Sequence, residues 1–129
     1  MLVKQGITDI INVTKNIPCF HENCDDLSIK YMRVPVNDGC NQDIKQYFEE
    51  TNKLIEAVKT KGGKVLVHCQ AGISRSSTIV IAYLMKLNSL PLTTVYNNVK
   101  KIRSIVEPNI LFYSQLQDYE QTTSAIISI

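Results

Sequence analysis

The chain has 129 residues, 44% of them hydrophobic and 20% charged, the balance of an ordinary globular domain large enough to hold a core without cross-links. Its 14 Lys and Arg against 12 Asp and Glu leave a net charge of +2, too even for a duplex-binding surface, so no nucleic-acid partner is expected. The longest apolar stretch, residues 78–85, is far short of the ~20 residues a bilayer span needs, and Lys4, Gln5 and Gly6 follow Met1 too soon for an export signal. One domain over residues 1–129 and no membrane partner are expected.

Four cysteines, Cys19, Cys24, Cys40 and Cys69, could pair in an oxidising compartment, but a domain of this size does not need them to. A reduced, intracellular protein, cytoplasmic or nuclear, is expected. Cys19, His21 and Cys24 lack a fourth ligand for zinc, so they are assigned to an exposed loop. No metal or other cofactor is expected.

In chain order, residues 7–13 are rich in β-branched side chains after Gly6 and predict a buried strand. Residues 16–26 read as loop, and residues 28–36 as a second strand ended by Pro35. Asn37-Asp38-Gly39-Cys40-Asn41 is turn chemistry. From residue 42 to 61 the period becomes helical, with Ile44, Tyr47, Phe48, Thr51, Leu54, Ile55 and Val58 on one stripe and Gly62-Gly63 as the stop. A short strand at residues 64–67 runs into His68-Cys69, and a loop through Arg75 leads to a helix at residues 76–87. Thr93 or Thr94 is expected to cap a third helix whose inner face is Val95, Val99, Ile102 and Val106, with Lys100, Lys101 and Arg103 solvated. Pro108 is expected to open a last helix carrying Leu111, Phe112, Leu116 and Tyr119 inward. Residues 121–129 have no clear period and stay unassigned. This order predicts an α/β fold, a mainly parallel central sheet flanked by helices. Ligands in such folds bind at the carboxyl ends of the strands, which points to the junction at Cys69.

Residues 68–76 read His68-Cys69-Gln70-Ala71-Gly72-Ile73-Ser74-Arg75-Ser76. A compact loop between a buried strand and a helix start turns backbone N–H groups inward, and the helix dipole adds positive charge: a cradle of phosphate size. Gly72 permits a backbone turn that a side chain would obstruct, and the planar fork of Arg75 can grip two phosphate oxygens at once. The same field is expected to lower the Cys69 thiol from its usual pKa near 8.5 into the ~3.5–7.5 range, giving a thiolate nucleophile. A phospho-cysteine intermediate hydrolysed by water follows from that chemistry. Ser76 can donate a hydrogen bond to the departing thiolate, and His68 is assigned to support of the loop.

The string HCQAGISRSSTIVIAYLM from His68 to Met85 resembles the Cys-x5-Arg signature of the cysteine-dependent protein phosphatases, in the form of their dual-specificity branch. Arg33-Val34-Pro35-Val36-Asn37-Asp38, with Asp43-Ile44 and Tyr47-Phe48, is similar to the segment holding that family's general acid. Residues 105–116 are similar to its C-terminal Pro-Asn helix. The similarity runs from about Gly6 to about Glu120 and looks most like the catalytic domains of MAP kinase phosphatases.

The resemblance implies a phosphatase-like fold with the usual N-terminal strand and helix missing, and the MAP kinase phosphatases' separate kinase-docking domain absent. A sheet edge would then lie open, through which a dimer could form. It implies a dual-specificity phosphatase acting on phosphotyrosine and phosphoserine or phosphothreonine of a protein substrate, a MAP kinase being the candidate. Asp38, 31 residues before Cys69, stands where the family's acid would be, and Asp43 is assigned to a helix start. Cys40 is a candidate for a reversible disulfide that guards Cys69 against oxidation. Glu107 and Ser114 depart from the Ser and Gly usual in that subgroup. Two rivals keep the chemistry and change the substrate. Lipid phosphatases of this superfamily carry lysines where Gln70, Ala71, Ile73 and Ser74 are neutral, and RNA 5′-triphosphatases carry Asn-Arg-Thr in place of Ser-Arg-Ser. A third, a phosphopeptide-binding module without turnover, usually lacks the Cys or the Arg; here both are present.

Overall fold

A computed structural model describes residues 6–15, 29–37, 42–70 and 74–127, with side chains through residue 122. Three parallel strands, β1 (Asp9–Asn12), β2 (Lys30–Arg33) and β3 (Val65–His68), form a sheet of order β2-β1-β3. Four helices complete the described fold: α1 (Phe48–Thr60), α2 (Arg75–Asn88), α3 (Leu92–Ile102) and α4 (Ile110–Ile127). This is the expected α/β class. β1 and β2 are shorter than the runs expected for them, Thr8 and Val13 bonding to Lys64 and His68 just outside the β1 ladder, while β3 keeps its expected length one residue further on.

β1 is central, and all four of its residues are buried. The core packs its Ile11 and the following Val13 with Phe48 of α1, Ile79, Ile81 and Ala82 of α2, Val95 of α3 and Phe112 and Leu116 of α4. The predicted stripe of the first helix holds: Ile44, Phe48, Thr51 and Val58 are buried and Tyr47, Leu54 and Ile55 pack against the core. A 3-10 turn at Lys45–Tyr47 precedes α1, and Asp43 Oδ1 accepts from the Gln46 amide at 3.4 Å. At the other end Gly62 takes φ +79, and a Cβ on Gly63 would stand 2.5 Å from Thr8 Oγ1. The pair thus ends the helix and lets β3 start against Thr8.

Five expectations need correction. Neither Thr93 nor Thr94 caps α3. Pro91 precedes it, and the carboxylate of Glu120 on α4 accepts the Leu92 amide at 2.6 Å, a tertiary cap that local sequence does not reveal. Ile102 is not on the inner face but 88% exposed, because α3 ends there and the chain turns before Val106 re-enters the core. Lys100 is half-buried, its Nζ donating to Tyr96 Oη and to the Val106 carbonyl, each at 3.3 Å, and lying over the Tyr96 ring; Lys101 and Arg103 are exposed. Pro108 lies two residues before the start of α4, and Asn109 is the cap, accepting the Phe112 amide on Oδ1 at 2.8 Å. Leu111 is half-buried rather than inward. The unassigned tail continues α4 to Ile127, since elongating a formed helix needs no apolar stripe.

A polar chain, buried at Tyr119 and Asn52 and exposed at Glu49 and Lys86, ties α4 to α1 and α2. Tyr119 Oη donates to Glu49 Oε1 at 3.0 Å and accepts from Asn52 Nδ2 at 2.9 Å, while Lys86 Nζ donates to Glu49 Oε2 at 2.7 Å. The Lys86 hydrogen bond holds the Glu49 carboxyl below its usual range. Burial, then the Glu49 bond, push the Tyr119 phenol well above the tyrosine range. Asn52 Oδ1 is buried with no partner. Tyr119→Phe therefore strips the amide of its described bond and should cost about 1–3 kcal/mol in urea unfolding. The phenol's contribution is whole below about pH 10 and fades as pH rises through the raised folded-state value. The variant should accordingly lose less stability than the parent between neutral and strongly alkaline pH.

Candidate active site

The carboxyl ends of the three strands meet at one edge of the molecule. From β1 the chain goes first to β2 on one side and then to β3 on the other, so the strand order reverses at β1, the crevice where open parallel sheets bind ligands. Asn12 lies opposite His68 in register. It is fully buried, and its Oδ1 accepts the Thr14 hydroxyl at 2.5 Å. Arg33, at the end of β2, donates from Nη1 to the Thr14 carbonyl at 3.1 Å. These bonds fix the floor beside the strand end from which Cys69 emerges.

Cys69 is half-buried, and its Sγ lies 3.4 Å from Ser76 Oγ in the first turn of α2. The thiol therefore sits at the start of a 14-residue helix whose first turn, Arg75 to Thr78, is buried. No side chain caps that helix. Ser74, which could, is committed elsewhere: its Oγ accepts the Asn109 amide at 2.9 Å, and its carbonyl accepts the Ser77 and Thr78 hydroxyls at 3.0 and 2.6 Å. Among the described residues, the positive end of a buried helix thus has no side-chain cap of its own, the arrangement that receives an oxyanion. Arg75 is only 8% exposed, and its Nη1 donates to the Val36 carbonyl at 3.1 Å. That bond ties the cradle's arginine to the segment running toward Asp38. Cys69 and Gln70 stand at one end of a groove of about 530 Å³ that continues along β3.

Of the residues singled out in the sequence, Cys69, Gln70, Ser74, Arg75 and Ser76 come together here. His68 lines the groove. Asp38, Cys40, Ala71, Gly72 and Ile73 lie outside the described residues, as do Cys19, His21 and Cys24. The described residues hold no group of three potential metal ligands, and none of their helices is long and apolar enough to cross a membrane. Sequence reading missed the Asn12–Thr14 pair and the Asn109 lock on Ser74. A Pro-Asn step before an apolar run signals the cap at Asn109, but nothing local signals its reach to Ser74, 35 residues away.

The dual specificity phosphatase catalytic domain family matches residues 1–122 of the chain. The chain belongs to that family. Dual specificity protein phosphatase 1-B of Xenopus laevis is 44% identical over 125 residues, which is 97% of this chain and 33% of that protein. The chain thus spans about a third of the length of the curated relatives it matches. A mouse putative dual specificity phosphatase, solved in complex with zinc tungstate, superposes with a TM-score of 0.88 at 37% identity over 98% of this chain and 77% of that one. The human tyrosine phosphatase-like serine/threonine/tyrosine-interacting protein superposes with 0.86 at 36% identity over 95% and 76%. Family membership agrees with the parallel sheet and with the resemblance carried by residues 68–85.

Proposed function

We propose that this dual specificity phosphatase domain hydrolyses phosphotyrosine and phosphothreonine or phosphoserine in a protein substrate, with Cys69 as nucleophile. The observation carrying the proposal is the Cys69 thiol 3.4 Å from Ser76 Oγ at the uncapped start of buried α2. The thiolate attacks phosphorus, forming the S–P bond as the bond to the side-chain oxygen breaks. Asp38 gives its proton to that leaving oxygen. Water then attacks the phospho-cysteine, Asp38 takes the water's proton, and the S–P bond breaks to free phosphate. Ser76 donates to the returning thiolate, while Arg75, with the backbone of residues 70–75, holds the equatorial oxygens. The tungstate named with the mouse relative is a tetrahedral oxyanion of the kind such a cradle accepts.

Activated MAP kinases are the proposed substrate class, on the identity to dual specificity phosphatases 1 and 6. The need for a reduced thiol favours an intracellular setting. The test is phosphate release from a kinase activation-loop peptide bearing phosphothreonine and phosphotyrosine; loss of both phosphates is expected, and release of neither overturns the reading. A second reading, phosphopeptide capture without turnover, is favoured by the likeness to a relative named as an interacting protein. Binding without release would select it. Within the first reading, Asp38→Asn should lower kcat by about 10²–10⁴-fold on phosphopeptide. It should lower it far less on an aryl phosphate whose leaving group needs no proton. An equal loss on both substrates would remove Asp38 from the acid's role.

A further inference from the structure

The peptide unit joining Val36 to Asn37 is gripped on both edges. Its carbonyl accepts Arg75 Nη1 at 3.1 Å, and its N–H donates to Gln42 Oε1 at 2.9 Å. In a planar trans peptide these two groups point in opposite directions, so Arg75 and Gln42 hold it from opposite sides. Arg75 alone would leave the plane free to turn about a single hydrogen bond. With both partners in place the plane is set, and the Asn37 Cα, which lies in it, is set too. Asp38 is the next residue in the sequence.

Gln42 is fastened in turn from α4. Gln115 Nε2 donates to the Gln42 carbonyl at 2.8 Å, and Gln115 Oε1 accepts the amide of Lys45, the first residue of the 3-10 turn, at 2.9 Å. One partner is a C=O and the other an N–H, so the side-chain amide fits in one orientation only. The cap of the same helix serves the nucleophile side, where the Asn109 amide donates to Ser74 Oγ at 2.9 Å. α4 thus bonds both to Ser74, one residue before Arg75, and to the stretch that grips Asn37, one residue before Asp38.

We propose that Gln42 and Gln115 are positioning residues for the general acid, a clasp that orients the Val36–Asn37 peptide and with it the entry of the chain into Asp38. Their role presupposes Asp38 as the acid. They act through that residue and not on the phosphoryl group, so their loss is felt only where the leaving oxygen needs a proton. Misplacing a reacting group by about 1 Å can cost up to about 10²-fold in rate.

The quantity to measure is kcat/KM, which covers S–P bond formation and protonation of the leaving oxygen, on a phosphothreonine peptide and on p-nitrophenyl phosphate. Gln42→Ala should lower the peptide value by about tenfold, part of the acid's full contribution of about 10²–10⁴, and the aryl value by less than about twofold. Gln115→Ala should show the same split. In the Asp38→Asn background, Gln42→Ala should lower the peptide value by no more than about twofold, since no proton is left to place. A bond that merely stabilises the fold would slow both substrates alike or neither. Should Gln115→Ala fail to fold, Gln42→Ala decides by itself, because it removes one side-chain bond and leaves the Gln42 carbonyl on Gln115. Equal loss on both substrates, no loss on the peptide, or a further loss of about tenfold on top of Asp38→Asn overturns the clasp. If Asp38→Asn itself loses equally on both substrates, the acid reading fails and the clasp falls with it. A selective Asp38→Asn beside an unselective Gln42→Ala strikes the clasp alone.

Discussion

Cys69→Ser is expected to reduce phosphate release from the doubly phosphorylated peptide by on the order of 10⁴-fold or more, while phosphopeptide affinity stays within a few-fold of the parent. A hydroxyl in the same place is almost wholly protonated at neutral pH, whereas a thiol at the start of a buried helix ionises readily. The proposed binding elements, the amides at the start of α2 and Arg75, are untouched by the change. Ser76 Oγ, 3.4 Å from the sulfur, keeps a hydrogen-bond partner, so folding should not suffer. The comparison needs single-turnover release and calorimetric titration on the same preparations. Residual release within about tenfold of the parent would show that Cys69 is not the nucleophile.

The second large effect is expected from Arg75→Lys. Lysine keeps the charge and loses the fork, so kcat should fall by about 10²–10³-fold, the usual cost of one transition-state donor. The same change should lower stability by about 1–3 kcal/mol, because the buried guanidinium bonds the Val36 carbonyl and lysine's single nitrogen cannot serve both that oxygen and a phosphate. The two losses separate experimentally. Tungstate titration of Cys69→Ser against the double variant Cys69→Ser/Arg75→Lys reads the oxyanion contact alone, and urea unfolding reads the tether to Val36. A variant that keeps anion affinity within about threefold would leave Arg75 as a strut for the segment before Asp38 and nothing more.

Much of this site could be read from local chemistry. Val65-Leu66-Val67, Cys69 and the buried start of α2 are close in sequence, so the strand, the proposed nucleophile and the helix start share one stretch. The stripe from Ile44 to Val58 was legible for the same reason, since helical period is a local property. What stayed hidden depends on distant partners. Glu120 caps α3 from another helix, Asn109 occupies the hydroxyl of Ser74, and the Val36 carbonyl takes a bond from Arg75; each joins residues 28 to 39 positions apart. Ile102 misled because it keeps the apolar spacing of Val95 and Val99, while the helix stops just where the spacing would bury it.

The placement of β1 bears on how the chain acquires its reactivity. Of the three strands, the first to emerge is the central one, and its partner Val65 comes 56 residues after Asp9. Parallel pairing over such a separation closes a long loop and is slow compared with helix formation. Cys69 directly follows the strand that emerges last of the three. The surroundings of Cys69, with Ser76 Oγ 3.4 Å from the sulfur, exist only once β3 has reached β1 and the first turn of α2 has formed. The proposed nucleophile is therefore assembled together with the sheet, and a nascent or misfolded chain lacks its setting.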